Sequence, residues 1–259
     1  MAIDAAHRAG RLQMEHYERL ERIVHKSDHD VVTEVDELSE QLIISAIRAA
    51  YPGDPILAEE SGHSHSVPPA EGDRTGPADR LWIVDPLDGT VNYANGIPIF
   101  CVSIGLVEGG RPTVGVVHDP VRDETFTAIA GEGAQLDGQP IEMPAKEKLS
   151  DMVLSLALPA SGFASRERRL RRRIRVARVL GSAALSLAYV ANGRFDAFVQ
   201  GRGLSLWDIC AAGLIATEGG ALVTSLDGGE WFNAADPAKS HGLVAAPPAH
   251  HRDLLESLA

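Results

Sequence analysis

Trp82-Ile83-Val84-Asp85-Pro86-Leu87-Asp88-Gly89-Thr90 is an apolar run that ends in two carboxylates three residues apart. Leu81 to Val84 predicts a short buried strand, and the end of a strand is a usual place for a site. Pro86 fixes the backbone between the acids, so Asp85 and Asp88 aim at one point and the Leu87 carbonyl stays free as an oxygen ligand. Gly89 permits a tight turn, and Thr90 to Asn95 predicts a short helix whose amides face an anion. Oxygen-only ligands of this kind suit Mg²⁺, Mn²⁺ or Ca²⁺ and not zinc. The competing reading is that Asp-Pro and Asp-Gly are simply turn dipeptides.

Upstream, residues 2 to 24 place Ile3, Ala6, Ala9, Leu12, Tyr17, Leu20 and Ile23 on one helical face. A second helix runs from about Asp36 to Ala50 and is closed by Tyr51-Pro52-Gly53-Asp54-Pro55. Ser61 to Arg80 lacks apolar periodicity and reads as an exposed excursion. Downstream the pattern is β: Ile99 to Glu108, Pro112 to His118, Glu124 to Ile129, Ala134 to Leu136 and Gln139 to Ile141, with Asp137-Gly138 as a hairpin signal.

Met152 to Leu158 predicts a strand, Arg166 to Arg175 a solvated helix running into the strand Ile174 to Leu180, and Ser182 to Asn192 a helix with a Ser cap and Gly193 at its end. Phe195 to Val199 (strand), Asp208 to Glu218 (helix), Ala221 to Thr224 and Gly242 to Ala246 (strands) and Arg252 to Leu258 (helix) complete the chain. The expected architecture is layered α/β: one domain over residues 1–259, with an α+β half to about residue 150 and an α/β half from about 151.

The 259 residues are 44% hydrophobic, enough for a substantial core without staples. Cys101 and Cys210 sit in apolar stretches and read as reduced thiols of a cytoplasmic protein. No apolar run approaches the roughly 20 residues that span a bilayer. A net charge of −12 and 5% aromatic content argue against a nucleic-acid partner. Seven arginines in the ten residues Arg166 to Arg175 invite that reading, but the run is isolated and a charged helix face is its ordinary explanation.

Two further segments end in acids: Leu57-Ala58-Glu59-Glu60-Ser61-Gly62, and Leu206-Trp207-Asp208 at the start of an apolar helix, where Asp208 also reads as an N-cap. Together with Asp85 to Thr90 and Asp30-Val31-Val32-Thr33-Glu34-Val35-Asp36, these match in order, spacing and local sequence the motifs of the inositol monophosphatase family. The resemblance runs from about Lys26 to Gly220 and takes in Gly181-Ser182-Ala183-Ala184 and Asn192-Gly193-Arg194-Phe195-Asp196.

This resemblance implies an αβαβα sandwich of the type shared with fructose-1,6-bisphosphatase, homodimerisation, and lithium-sensitive, Mg²⁺-dependent hydrolysis of a phosphate monoester. Two or three Mg²⁺ ions, with Mn²⁺ as a substitute, would be held by Glu59, Asp85, the Leu87 carbonyl, Asp88 and Asp208. The amides of Gly89 and Thr90 would hold the phosphate. A water hydrogen-bonded to Glu59 and Thr90 would attack, with Asp36 accepting from the Thr90 hydroxyl. Gly181, Ser182, Ala183, Gln200, Arg202, Asp88 and Asp208 would contact the substrate, and Lys26 would add positive charge unless it is an ordinary surface lysine.

Where animal members carry a glutamate at the end of the strand that follows Asp196, this chain has Gln200, followed by Gly201, Arg202 and Gly203. That departure opens the substrate from inositol monophosphate to fructose 1,6-bisphosphate or histidinol phosphate. The rival from another class is a noncatalytic Mg²⁺- or Ca²⁺-binding protein, for which Thr90 beside Glu59 would have no use.

Overall fold

The structure is a computed structural model, and it describes residues 1–19, 23–27, 30–64, 79–144, 146–235 and 241–258. Its elements in chain order are α1 (Ala2–His16), β1 (Ile23–Ser27), β2 (Asp30–Thr33), α2 (Glu34–Ala50), β3 (Ile56–Ala58), β4 (Gly62–Ser64), β5 (Arg80–Asp88) and α3 (Thr90–Ala94). A meander follows: β6 (Cys101–Glu108), β7 (Arg111–Asp119), β8 (Glu124–Ile129), β9 (Gly133–Leu136) and β10 (Gln139–Ile141). The C-terminal half is β11 (Val153–Ala157), α4 (Ala160–Arg171), β12 (Val176–Arg178), α5 (Ala183–Ala191), β13 (Ala197–Leu204), α6 (Leu206–Glu218), β14 (Leu222–Ser225), β15 (His241–Ala246) and α7 (Pro248–Leu258).

Eight strands form one sheet in the order β10-β9-β8-β7-β6-β5-β3-β4, and five form a second in the order β12-β11-β13-β15-β14. Alternation along β5 divides the large sheet's faces. Trp82 and Val84 join a core with Ala5, Ala6 and Ala9 of α1 and Ile43 and Ile47 of α2, while Ile83 faces α5 and α6. The smaller sheet covers the other side of α5 and α6 and packs in turn against Leu170 of α4 and Leu254 of α7. The layers are therefore helices, sheet, helices, sheet, helices, the αβαβα sandwich expected.

Several boundaries differ from the sequence reading for tertiary reasons. Helix α1 stops at His16, because Tyr17 turns to extended backbone (ψ 129°) and its ring packs 5.6 Å from Tyr93 and 5.2 Å from Phe100. Its buried face is also rotated: Ala5, Ala6, Ala9, Gly10 and Gln13 are covered, whereas Ile3 is 47% exposed. A small-residue face lets the helix lie close to the sheet, and Gln13 spends its amide on the Pro86 carbonyl, 2.7 Å away. Leu20 and residues 65–78 lie outside the described residues, but Gly62–Ser64, expected as excursion, pairs antiparallel with β3. Strand β12 is shorter than expected, being an edge that pairs only with β11. Strand β13 is longer, because a register shift lets Leu204 pair with His241 of β15. Helix α4 begins before the arginine run and ends within it.

Helix α6 is buried from Ile209 to Ala216 between the two sheets. It can lie directly on β6 and β7 because both strands carry glycine beneath it. A Cβ at Gly105 would meet the Cys210 sulfur at 2.5 Å, and one at Gly115 would meet the Ala211 carbonyl oxygen at 2.6 Å. The second obstruction is backbone and cannot rotate away. Gly115→Ala should therefore lower unfolding free energy by roughly 1–3 kcal/mol, the usual cost of overpacking a core, read by urea denaturation.

Candidate active site

Strand β5 runs through the two acids that end it. Against β6, Asp85 pairs with Ser103 and Asp88 with Cys101, so three steps on one strand oppose two on the other. Pro86, which has no N–H to donate, occupies this bulge. The bulge turns both carboxylates toward the first turn of α6, where Asp208 stands. One ligand oxygen from each of Asp85, Asp88 and Asp208 lies within 4.8 Å of the others. Asp208 is not the cap itself: Ser205 is the N-cap, and Asp208 at N3 accepts the Ser205 amide at 2.6 Å.

Each acid is held by a separate element. The Leu87 amide donates to Asp85 at 3.0 Å. Asp88 takes the Ser182 hydroxyl at 2.5 Å and the Ala184 amide at 2.7 Å on one oxygen, and the Ala183 amide at 3.2 Å on the other. The start of α5, expected to contact substrate, is thus also the clamp on Asp88. Glu59 follows β3, and its amide bonds the Val84 carbonyl at 3.2 Å, beside Asp85.

Asp85 is only 1% exposed. Burial, then the negative charges of Glu59, Asp88 and Asp208, push its carboxyl well above the usual range. Burial raises Asp88 too, against the lowering effect of its donors from Ser182, Ala184, Ala183 and Leu185. Four acids, three of them within ligand distance, resist ionising together unless a cation stands among them. The donor set is all oxygen, which fits a hard divalent ion.

Beside the acids, the Thr90 hydroxyl lies 2.9 Å from both Asp36 Oδ1 and the Leu87 carbonyl. The other oxygen of Asp36 accepts the Thr33 amide at 2.9 Å, its part in the capping box of α2, and also the Thr33 hydroxyl at 2.6 Å. The Leu87 side chain is buried with Val35, Tyr93 and Phe100, which fixes its carbonyl. Gly89 caps α3 at φ 98°, and a Cβ there would meet the Ile99 carbonyl oxygen at 2.9 Å.

A cleft of about 300 Å³ opens from these groups and is lined by Asp88, Gly181, Ser182, Ala183, Gln200 and Asp208 among others. Arg202 is not part of that lining. It is exposed, reaches the Ser161 carbonyl at 3.5 Å, and faces an adjoining cleft of about 340 Å³. The backbone of Lys26 belongs to β1, while its side chain lies outside the described residues.

The structure adds three residues that sequence reasoning passed over. Asn92 donates to the carbonyls of Ile99 and Leu180, both at 2.8 Å, and so ties α3 to the loop before α5. Buried Glu40 accepts the amides of Glu60 and Ser61 at 2.8 and 3.0 Å, anchoring the Glu59 segment. The available signal was a carboxylate on the buried face of an amphipathic helix. The Cys101 thiol lies 3.7 Å from Asp88, and burial, then the charges of Asp88 and Asp85, hold it well above the usual thiol range.

Comparison with known proteins agrees with this geometry. The profile of the inositol monophosphatase family matches residues 1–259, and the chain belongs to that family. The Nus factor SuhB of Pseudomonas aeruginosa is 41% identical over 242 residues, spanning 90% of this chain and 86% of its own. The fructose-1,6-bisphosphatase/inositol-1-monophosphatase of Thermotoga maritima is 36% identical over 230 residues, spanning 88% and 85%. Among solved structures, the Bartonella henselae extragenic suppressor protein suhB superposes with a TM-score of 0.88 at 32% identity, covering 99% of this chain and 96% of that one. The Thermotoga maritima IMPase gives 0.86 at 34%, covering 99% and 94%.

A carboxyl whose folded pKa lies above its unfolded value binds a proton on folding, so its contribution favours the fold at low pH and is lost as pH rises through that interval. Metal-free protein should therefore gain stability when Asp85→Asn removes the buried charge at pH 8. A Tm rise of about 2–4 °C corresponds to about 1 kcal/mol in a chain of this size. Differential scanning calorimetry in chelator checks it, and the variant should lose the further Tm rise that Mg²⁺ gives the wild type.

Proposed function

We propose that this chain hydrolyses a phosphate monoester of a small polyol, inositol monophosphate first, with Mg²⁺ as the resident ion and Mn²⁺ able to replace it. The observation that carries the reading is the convergence of Asp85, Asp88 and Asp208 beside the Thr90–Asp36 hydrogen bond. Glu59, Asp85, the Leu87 carbonyl, Asp88 and Asp208 would hold the cation. When bound, it supplies charge neutralisation and Lewis acidity at phosphorus.

The remaining work falls to the chain. Glu59 and the Thr90 hydroxyl orient a water in line with the scissile bond, and Asp36, already the acceptor of the Thr90 hydrogen bond, draws the proton away through that hydroxyl. The amides of Gly89 and Thr90 hold phosphate oxygens. The cleft at Gly181, Ser182, Ala183 and Gln200 receives the alcohol, and no phosphoenzyme is required. Fructose 1,6-bisphosphate and histidinol phosphate are the alternative substrates. Arg202, in the adjoining cleft, stands where a longer substrate would extend. The two halves form one catalytic domain, and the reading includes a cytoplasmic, lithium-sensitive homodimer. Among the described residues no helix is long and apolar enough to cross a membrane.

A second reading is favoured by the names of similar relatives, several of which are called Nus factor SuhB. A role of that kind would stand beside hydrolysis or replace it.

Phosphate release with Mg²⁺ and with chelator, across inositol 1-phosphate, histidinol phosphate, fructose 1,6-bisphosphate and 3′-phosphoadenosine 5′-phosphate, tests the first reading. Mg²⁺-dependent release from inositol 1-phosphate supports the first; no release from any of them removes it. Asp208→Asn and Asp88→Asn should abolish turnover, and Thr90→Ala should lower kcat by about 10²- to 10⁴-fold, the span of general acid–base assistance. Asp88→Asn should also cost about 1–3 kcal/mol in urea unfolding, because both carboxylate oxygens accept from the start of α5 and the amide NH₂ that replaces one of them would face a donor and leave it unpaired.

A further inference from the structure

Of the four acids at the cluster, three are carried by regular structure: Asp85 and Asp88 by β5, and Asp208 by the first turn of α6. Glu59 is not. Strand β3 ends at Ala58, which pairs with Gly62 of β4, so Glu59, Glu60 and Ser61 form the turn of a hairpin. The charge of Glu59 nevertheless acts on Asp85, so its carboxylate stands close by. A three-residue turn does not by itself hold a side chain to the precision that a ligand needs. The support must come from outside it.

The amides of the turn show where that support lies. The Glu59 amide donates to the Val84 carbonyl at 3.2 Å, one residue before Asp85. The Glu60 amide donates to Glu40 Oε2 at 2.8 Å, and the Ser61 amide to Glu40 Oε1 at 3.0 Å. All three amides are therefore spent on other elements, and two of them end on one carboxylate. Glu40 is only 4% exposed, and among the described residues it has no cationic partner.

Burying a carboxylate is costly, and a hairpin turn closes at less cost with water or a neutral acceptor on its amides. What the anion adds is a pair of charge-assisted bonds from two successive amides, which fixes the turn in orientation as well as position. The base of this support is itself firm. Glu40 lies on the buried face of α2 with Ile43 and Ile47, and one turn back Asp36 takes the Thr90 hydroxyl at 2.9 Å. One helix thus sets both groups assigned to orient the attacking water, Thr90 through Asp36 and Glu59 through the turn.

We infer that Glu40 is a positioning residue for Glu59, acting not on substrate but through the two amides of the turn, and that it thereby sets the affinity of the acid cluster for its divalent cation. The inference rests on the cation-dependent reading of the site.

Isothermal titration of Mn²⁺ into the chelator-stripped full chain tests it, with Tm taken by differential scanning calorimetry on the same samples. Glu40→Gln replaces one acceptor oxygen by an NH₂ that faces an amide donor, so Mn²⁺ affinity should fall about 10- to 100-fold, the usual effect of losing a group that holds a ligand in place. Glu40→Asp keeps both oxygens on a side chain one methylene shorter and should lose less. Ile43→Val, on the same buried face, should lower Tm yet bind Mn²⁺ as the wild type does, which separates lost position from lost fold. Glu59→Gln should weaken binding as well, and adding Glu40→Gln to it should change affinity by less than about twofold, because the two act through one group. Three results overturn the inference and leave the cation reading standing: wild-type affinity in Glu40→Gln, an equal loss in Ile43→Val, or losses that multiply in the double variant. A wild type that binds no Mn²⁺ removes the cation reading and the inference with it.

Discussion

Everything at the carboxylate cluster depends on how closely α6 approaches β6 and β7. Two glycines remove the side chains that would hold the helix off the sheet, and the Ala211 backbone fills the space above one of them. With that contact made, the first turn of α6 has one position available, over the end of β5, and Asp208 arrives beside Asp85 and Asp88. A wider spacing would leave the two halves of the chain packed but without a shared site.

The same closeness creates a conflict. Buried carboxylates repel one another, and the fold offsets this with local donors: the Leu87 amide for Asp85, the start of α5 for Asp88, the Ser205 amide for Asp208. These bonds orient the acids without neutralising them, so Asp85 remains raised. A site held in register yet short of positive charge is what a cation-dependent centre requires. Helix caps do double duty here. The capping boxes of α2 and α6 are closed by Asp36 and Asp208, each of which also faces the site.

Much of this was readable in the chain. The strand before Asp85, the β6 to β10 meander, the Ser182 cap and the acids at the ends of β3 and β5 are all decided within a few residues of one another, by local preference and alternation. The misreadings came where distant contacts override local pattern. Periodicity alone gives α1 an Ile3–Leu12 face, but the helix presents Ala5, Ala9 and Gln13 because small residues are what close packing beside His118 allows. Asp208 reads locally as a cap, and only the capping box with Ser205 shows it one turn further in.

By itself, the sequence determined the chemical identity of the site: carboxylates, a threonine and a glycine turn, in segments short enough for residue type and spacing to specify them. The tertiary structure decided which groups converge. It brought Asp208 from 120 residues away to Asp88, left Arg202 in the adjoining cleft, and tied α3 to the start of α5 through Asn92. Convergence of that kind depends on the spacing between layers, which is set by how side chains and glycines from distant segments fill one interior, and no local stretch of sequence records that distance.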